Sequence, residues 1–246
     1  MQRAQIMTIR YFQKSFNYSQ DGPGNRLVYH LQGCNWHCPW CSNPEGMDPA
    51  RKAQVSELSA MVQEAVSCVP MMIEGGGVTL TGGEVLLQWE AVTQFLCELR
   101  AAGIHTAIES NLSIPRLDCL LPYLCFLMCD CKHHDSATLH RITGGSLDGL
   151  RQNFSALAAH PVPTIVRIPL IHGFNDARQD IEGFIHLFKE LPGKFSVEIL
   201  PYHEYGKDKW KKLGLPYQMQ DAFVSAQTLQ SFEAAFRAAG FTVIHT

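Results

Sequence analysis

Arg26-Leu27-Val28-Tyr29-His30-Leu31-Gln32 runs without a break into Gly33-Cys34-Asn35-Trp36-His37-Cys38-Pro39-Trp40-Cys41-Ser42-Asn43-Pro44-Glu45. The first stretch is rich in β-formers and the second in turn residues, so a strand delivers the chain into a loop at its C-terminal end. That loop carries three thiols at C-x3-C-x2-C spacing, which leaves no room for a regular element and lets them converge on one centre. No fourth cysteine follows at close spacing. Three protein ligands keep one coordination position open for chemistry, whereas a structural site is normally closed by four. Three thiolates therefore suit a four-iron cluster with one iron left free. Spacing alone leaves two alternatives open: a zinc knuckle closed by His37 or a distant cysteine, and three unrelated buried thiols.

Outward from this loop the chain alternates strand and helix. The pattern predicts a half-buried strand over 6–12, then a polar loop through 17–20 and the Asp21-Gly22-Pro23-Gly24 turn. A surface helix follows over 56–67, with Ser56 as its cap. Further strands are expected at 78–81, 104–108, 123–129, 164–169 and 196–200. The helices between them are expected at 87–101, in a short piece after Pro115, in segments through 147–159, and at 177–191. A last helix over 226–239 precedes a terminal strand over 241–244. Such alternation implies a parallel sheet, and six strands, where eight would close a full barrel, point to an α/β fold: a partial (β/α)6 TIM-type barrel. We expect one domain over 1–246.

In parallel barrels, chemistry gathers on the loops at the C-terminal strand ends. Here those ends carry Cys34, Cys38 and Cys41; Gly82, Gly83 and Glu84; Glu109, Ser110 and Asn111; Asp130 and Lys132; Arg167; and His203. Arg167 is a lone cation in an apolar run and needs an anionic partner.

The totals bound the function. The 246 residues, 46% of them apolar, can bury a large core. A net charge of -3 gives no basic field for a nucleic-acid backbone. Residues 1–6 lack the apolar core of a signal peptide, and no 18-residue apolar run follows, so a cytoplasmic protein without a membrane anchor is expected. Nine cysteines in such a chain argue for reduced thiols, some of them ligands, rather than disulfides.

The thiol triad resembles the signature of the radical S-adenosylmethionine (SAM) superfamily. Asp21-Gly22-Pro23-Gly24-Asn25-Arg26, the run 75–84 ending in Gly82-Gly83-Glu84, and Leu200-Pro201-Tyr202-His203-Glu204-Tyr205-Gly206-Lys207-Asp208-Lys209-Trp210 extend the likeness over nearly the whole chain. Together they resemble the glycyl-radical-enzyme activating enzymes of the pyruvate formate-lyase activating type. The resemblance implies one [4Fe-4S] cluster on the three cysteines and SAM as cofactor. Trp40 would lie beside its adenine, and Gly82 and Gly83 would contact its amine with Glu84 supporting the loop. Asp130 and Lys132 would hold its sugar and amino-acid ends, Arg167 its carboxylate, and His203 its ribose or adenine side. It further implies a monovalent cation at Glu109, Ser110, Met128 and Asp130, although Glu109-Ser110-Asn111-Leu112 departs from the Asp-Thr-Asn-Gly common at that site. Asp21, Gly22, Pro23 and Gly24 would line the opening for a glycyl radical enzyme, the protein substrate. A flavodoxin or ferredoxin would supply electrons. About forty residues with one cysteine separate the triad from Gly82, too few thiols for a ferredoxin-like insert. A radical SAM enzyme acting on a small molecule and a zinc-stabilised binding module are the rival readings.

Overall fold

The computed structural model describes residues 6–246, so the reading of the extreme N-terminus lies outside it. Its frame is one eight-stranded sheet: β1 (Thr8–Tyr18), β2 (Asn25–Leu31), β3 (Gln54–Glu57), β4 (Gly77–Gly82), β5 (Thr106–Ser110), β6 (Phe126–Asp130), β7 (Thr164–Leu170) and β8 (Ser196–Pro201). The order is β3-β1-β2-β4-β5-β6-β7-β8, and the pairs from β2 onward are parallel. The sheet does not close on itself, as a partial barrel requires. The six parallel strands are the six expected; β1 and β3 are antiparallel additions at one edge.

Burial explains the division. β2 and β4 are buried along almost every residue, the continuous apolar reading of a strand covered on both faces. β1 has one buried face at its start and is half-exposed beyond. Residues 17 and 18, read from sequence as loop, belong to this strand, because residues 13–18 pair antiparallel with residues 25–30 of β2. Polar side chains are compatible with a strand whose outer face is wet.

The helices are α1 (Leu58–Ser67), α2 (Trp89–Ala101), α3 (Leu117–Leu120), α4 (Ser136–Thr143), α5 (Asp148–Ala159), α6 (Arg178–Glu190), α7 (Lys207–Lys212) and α8 (Ala226–Ala238). Ser56 does not cap α1: it lies in β3, its hydroxyl is 3.2 Å from that of Tyr11, and Glu57 occupies the cap position without a side-chain bond. β6 begins three residues later than the apolar run suggests, because Leu121–Tyr123 forms a 3-10 turn around Pro122. The expected terminal strand reduces to one bridge, Val197 to Val243, along the β8 edge. There, Phe184, Phe188, Phe195, Phe236 and Phe241 interlock with ring centroids 5.6 to 6.1 Å apart at several contacts. Each fully buried ring is worth roughly 1.5–3 kcal/mol, so this cluster fastens α6 and α8 to the sheet.

Candidate active site

The cysteine loop leaves β2 and is held as a backbone structure before any ligand is considered. The Gly33 amide donates to the Gly46 carbonyl at 2.8 Å, and the Cys34 amide to that of Met47 at 3.1 Å. Gly83 lies so close beneath it that an added Cβ would sit 1.9 Å from the Gly33 oxygen, so any side chain there would push the β4 loop off the cysteine loop. The Glu84 amide donates to the Gly33 carbonyl at 2.7 Å. Glu84 is fully buried, and its carboxylate accepts from the amides of Leu86 and Asn111 and from the Ser110 hydroxyl, the last at 2.6 Å. Burial pushes this carboxyl up, and those donors pull it back.

The three thiols face a cavity of ≈ 270 Å³ at the C-terminal mouth of the barrel. Burial pushes the Cys34 thiol up to about 12 and raises Cys38 and Cys41 as well; the Lys132 ammonium acts in the opposite direction on all three. Thiols that resist ionising while buried together are stabilised as thiolates by a cationic metal centre. Their sulfurs also accept backbone amides: Trp36 donates to Cys34 at 3.4 Å and Asn43 to Cys41 at 3.3 Å. Among the described residues, the one His, Cys and carboxylate group whose ligand atoms all lie within 4.8 Å of one another is His133, His134 and Asp180, not the thiols. A single tetrahedral zinc would bring its sulfurs to about 3.8 Å of each other, from Zn–S of about 2.3 Å. The triad is therefore not drawn together as a closed single-ion site would be.

His133, His134 and Asp180 form a hydrogen-bonded network of their own. The Asp135 amide donates to His133 Nδ1 at 2.9 Å, which puts the proton on Nε2, 3.2 Å from the Phe174 carbonyl. His134 Nε2 meets Asp180 at 3.0 Å, and Asp180 in turn receives the Ala177 amide before α6. A ligating His133 Nε2 would have to give up that proton, so the network fixes the loop rather than a metal.

Gly82, Gly83, Trp40, Ser110, Glu109, Asp130, Lys132 and His203 share the cavity wall with the thiols. Lys132 pairs with Asp130 at 2.6 Å, and its ammonium stands 5.8 Å from the Trp36 ring centre. Burial pushes this lysine down, but the Asp130 carboxylate together with the Cys38 and Cys34 thiols pushes it further the other way, so its net shift is upward. His203 accepts the Tyr205 amide at Nδ1, 3.3 Å, which puts its proton on Nε2, and stacks on the Tyr205 ring at 4.1 Å; burial lowers its basicity. Trp40 packs on Phe174 with centroids 4.7 Å apart.

Three expectations meet a different geometry. Arg167 does not border this cavity: its guanidinium donates to Glu198 at 2.8 Å, Glu109 at 3.0 Å and the Gln20 carbonyl at 3.0 Å, so the chain supplies its anionic partners. Glu109 spends one oxygen on Arg167 and the other on the Thr81 hydroxyl at 2.7 Å. Ser110 gives its proton to Glu84, and Met128 is wholly buried opposite Glu109 in the β5–β6 register. The Asp21–Gly24 turn precedes β2 and so lies at the other, N-terminal end of the barrel. There Gly22 and Pro23 border a second cavity of ≈ 670 Å³ together with Arg167. Arg26, fully buried beneath that turn, donates to Thr79, to the Pro23 and Val78 carbonyls and toward His105. An added Cβ on Gly24 would meet the Ile73 carbonyl at 2.4 Å.

Sequence reasoning missed Phe174 and Asn175, and gave no role to Trp210 although it closes the 200–210 stretch. Fully buried Asn175 donates to the Lys132 and Pro169 carbonyls and accepts the Ile171 amide, tying the ends of β6 and β7 together. The Trp210 indole donates to the Cys41 carbonyl at 2.9 Å. Asn175 sits in a Gly-Phe-Asn-Asp turn, which was a readable signal; a lone tryptophan among lysines was not.

With this geometry in place, comparison with known proteins assigns the class. Residues 28–188 match the Radical SAM superfamily, and the chain belongs to it. Its relatives include pyruvate formate-lyase-activating enzymes. That of Staphylococcus epidermidis is 33% identical over 213 residues, 82% of this chain and 84% of the relative, and that of Staphylococcus aureus 31% identical over 233 residues, 90% and 91%. Among solved structures, a domain of pyruvate-formate lyase-activating enzyme from Bacteroides vulgatus superposes with a TM-score of 0.57 at 25% identity, covering 69% of this chain and 98% of that one. A radical SAM methyltransferase from Sphaerobacter thermophilus, 15% identical, shares the fold over 97% of this chain and 76% of that one at a TM-score of 0.64. No described helix is long and apolar enough to cross a membrane.

Proposed function

We propose that this chain activates a glycyl radical enzyme, working as a single domain with one cluster in the cytoplasm, where thiols stay reduced. The observation that carries the reading is the triad of Cys34, Cys38 and Cys41, with Cys38 buried and all three facing one cavity, on a loop locked to Gly83 and Glu84. A [4Fe-4S] cluster held there with SAM supplies one chemistry when bound: reductive cleavage to methionine and a 5'-deoxyadenosyl radical that takes a hydrogen from a backbone glycine of the partner. The protein's own residues do the rest. Cys34, Cys38 and Cys41 bind the cluster. Gly82 and Gly83 expose backbone beside it for the cofactor's amine. Lys132, held charged by Asp130, meets the amino-acid end, and His203 offers Nε2–H to the ribose side. Trp40, braced by Phe174, forms an apolar wall for the adenine and excludes water.

Arg167 is read here as a positioning residue that fixes Glu109 and Glu198 between the two cavities. A monovalent cation is not part of the proposal, because Glu109 and Asp130 each face a cationic side chain and the Ser110 hydroxyl is turned to Glu84. The glycine-bearing loop of the partner enters at the Asp21–Gly24 end, where the larger cavity opens toward Arg167. Electrons come from a flavodoxin or ferredoxin. Neither nucleic acid nor a membrane is a partner.

The test is anaerobic reconstitution with iron and sulfide, then electron paramagnetic resonance with and without SAM, release of 5'-deoxyadenosine, and appearance of a protein radical in pyruvate formate-lyase. A reduced four-iron signal that shifts on adding SAM, with a glycyl radical in the partner, is expected. Stoichiometric zinc and no cluster signal would sink the reading.

A further inference from the structure

Four of the nine lysines of this acidic chain fall in six consecutive residues, Lys207-Asp208-Lys209-Trp210-Lys211-Lys212, which form α7. Helix α7 packs directly on the cysteine loop. Trp210 Nε1 donates to the Cys41 carbonyl at 2.9 Å, Lys209 Nζ to Asn43 Oδ1 at 3.0 Å, and a Cβ on Gly206 would stand 2.4 Å from the Cys41 oxygen. Lys207 is paired with Glu204 at 2.7 Å. Lys211 and Lys212 are exposed and make no salt bridge among the described residues. The local carboxylates, Glu204 and Asp208, are outnumbered by the lysines. Adjacent like charges repel, and a net charge of -3 overall does not explain concentrating cations here.

We propose that the α7 face is the docking surface for a small, acidic, one-electron carrier protein, with Lys211 and Lys212 as its steering charges. This rests on the radical SAM reading above. Charge complementarity names the occupant: a cationic patch with one half-buried aromatic suits a negatively charged surface, and such patches act mainly on encounter rate and salt dependence. The position names the purpose. Within α7, the Trp210 indole reaches the backbone of a cluster ligand by one hydrogen bond, after which the path to Cys41 Sγ is covalent. In the step served, the reduced carrier would be oxidised by loss of one electron, and the centre held by the three thiolates would be reduced by gaining it; α7 passes no proton or group.

The test uses reconstituted holoenzyme and its Lys211→Glu/Lys212→Glu double variant, with Lys211→Ala/Lys212→Ala as a milder companion. Affinity for an oxidised acidic flavodoxin, and in parallel an acidic ferredoxin, is measured by titration calorimetry at about 50 and about 300 mM salt. Release of 5'-deoxyadenosine is then driven by the reduced carrier or by dithionite. We expect wild-type affinity to fall with salt, and the charge reversal to weaken binding and carrier-driven turnover by about tenfold with a flatter salt slope. The alanine pair should move less in the same direction, and dithionite-driven release should not change. Equal affinity and salt slope for both carriers in wild type and variants overturns the proposal. So does a charge reversal that spares both carriers and weakens radical formation in the protein substrate, since the face would then belong to that partner. Absence of dithionite-driven cleavage in the wild type indicts the radical SAM reading instead, and the binding data still score the docking surface separately.

Discussion

The two ends of the barrel are built on opposite principles. At the C-terminal mouth, three thiols, Cys34 raised to about 12 by burial, look onto an open cavity whose wall they share with Lys132. At the N-terminal end, Arg26 is equally buried, yet its guanidinium meets Thr79, Pro23, Val78 and His105. The first end has donors that want a cation; the second has satisfied its own polar groups and presents a shaped surface. Buried polar groups are normally hydrogen-bonded, so an end where they face an open cavity marks the place for a ligand. The saturated end marks a place for contact. Arg167, Glu109 and Glu198 form the layer between them.

The sharpest way to break this contrast is Cys38→Ala. It should abolish the four-iron signal and 5'-deoxyadenosine release, while far-ultraviolet circular dichroism keeps its shape, because the loop is fastened by Gly33, Gly46 and Gly83 rather than by its sulfurs. Unfolding of the variant would show instead that the cluster end is structural.

The layer between the ends gives the next largest effect. Arg167→Met leaves Glu198 and Glu109 without their shared cation, and removing one partner of a buried ion pair costs about 3–5 kcal/mol. Denaturant unfolding should report a loss of that order. Arg167→Met combined with Glu198→Gln should recover part of it, since fewer buried charges are then unpaired. A loss below about 1 kcal/mol, the range of an exposed pair, would remove the layer from the comparison.

Gly24→Ala probes the N-terminal end alone. Its φ of +69° and the Ile73 carbonyl, 2.4 Å from the new Cβ, force the turn to move. Partner radical formation should drop by about tenfold, equivalent to about 1.4 kcal/mol, with dithionite-driven SAM cleavage in the absence of partner unchanged. Equal loss of both would place the turn in the cofactor site.

Much of this layout is legible in the sequence, for reasons that differ by residue. Parallel strands are buried on both faces, so β2, β4 and β7 appear as near-continuous β-branched and apolar runs, and their C-terminal polar residues sort themselves onto one mouth. The thiol spacing is local and survives any error in topology. Arg167 is harder: that it needs an anion follows from its apolar run, but which anion depends on Glu198, 31 residues away on the next strand. The Asp21–Gly24 turn reads as a turn, yet which end of the barrel it occupies follows only once β1 is known to run antiparallel to β2. Helix α7 has no apolar periodicity to announce it, since Trp210 and Lys209 tie it to the cysteine loop through single hydrogen bonds rather than an apolar face.

The smallest effect is also the one confined most tightly to the saturated end. Burial, followed by the neighbouring Arg26 guanidinium, lowers His105 from the ordinary histidine range to about 4. A histidine whose folded-state value lies below its unfolded one stays neutral in the fold and takes up its proton more readily once unfolded. Its stabilising share is therefore present at and above pH 6.5 and is lost as pH falls from about 6.5 toward 4. His105 is half exposed, so solvent screening keeps this to about 1–2 kcal/mol. Urea unfolding at steps between pH 7 and pH 4.5 should show wild-type stability declining over that window and His105→Gln declining less, while SAM binding at pH 7 is equal in the two. If both proteins lose stability in parallel, the proton is taken up elsewhere, and the Arg26 lattice is less closed than its hydrogen bonds indicate.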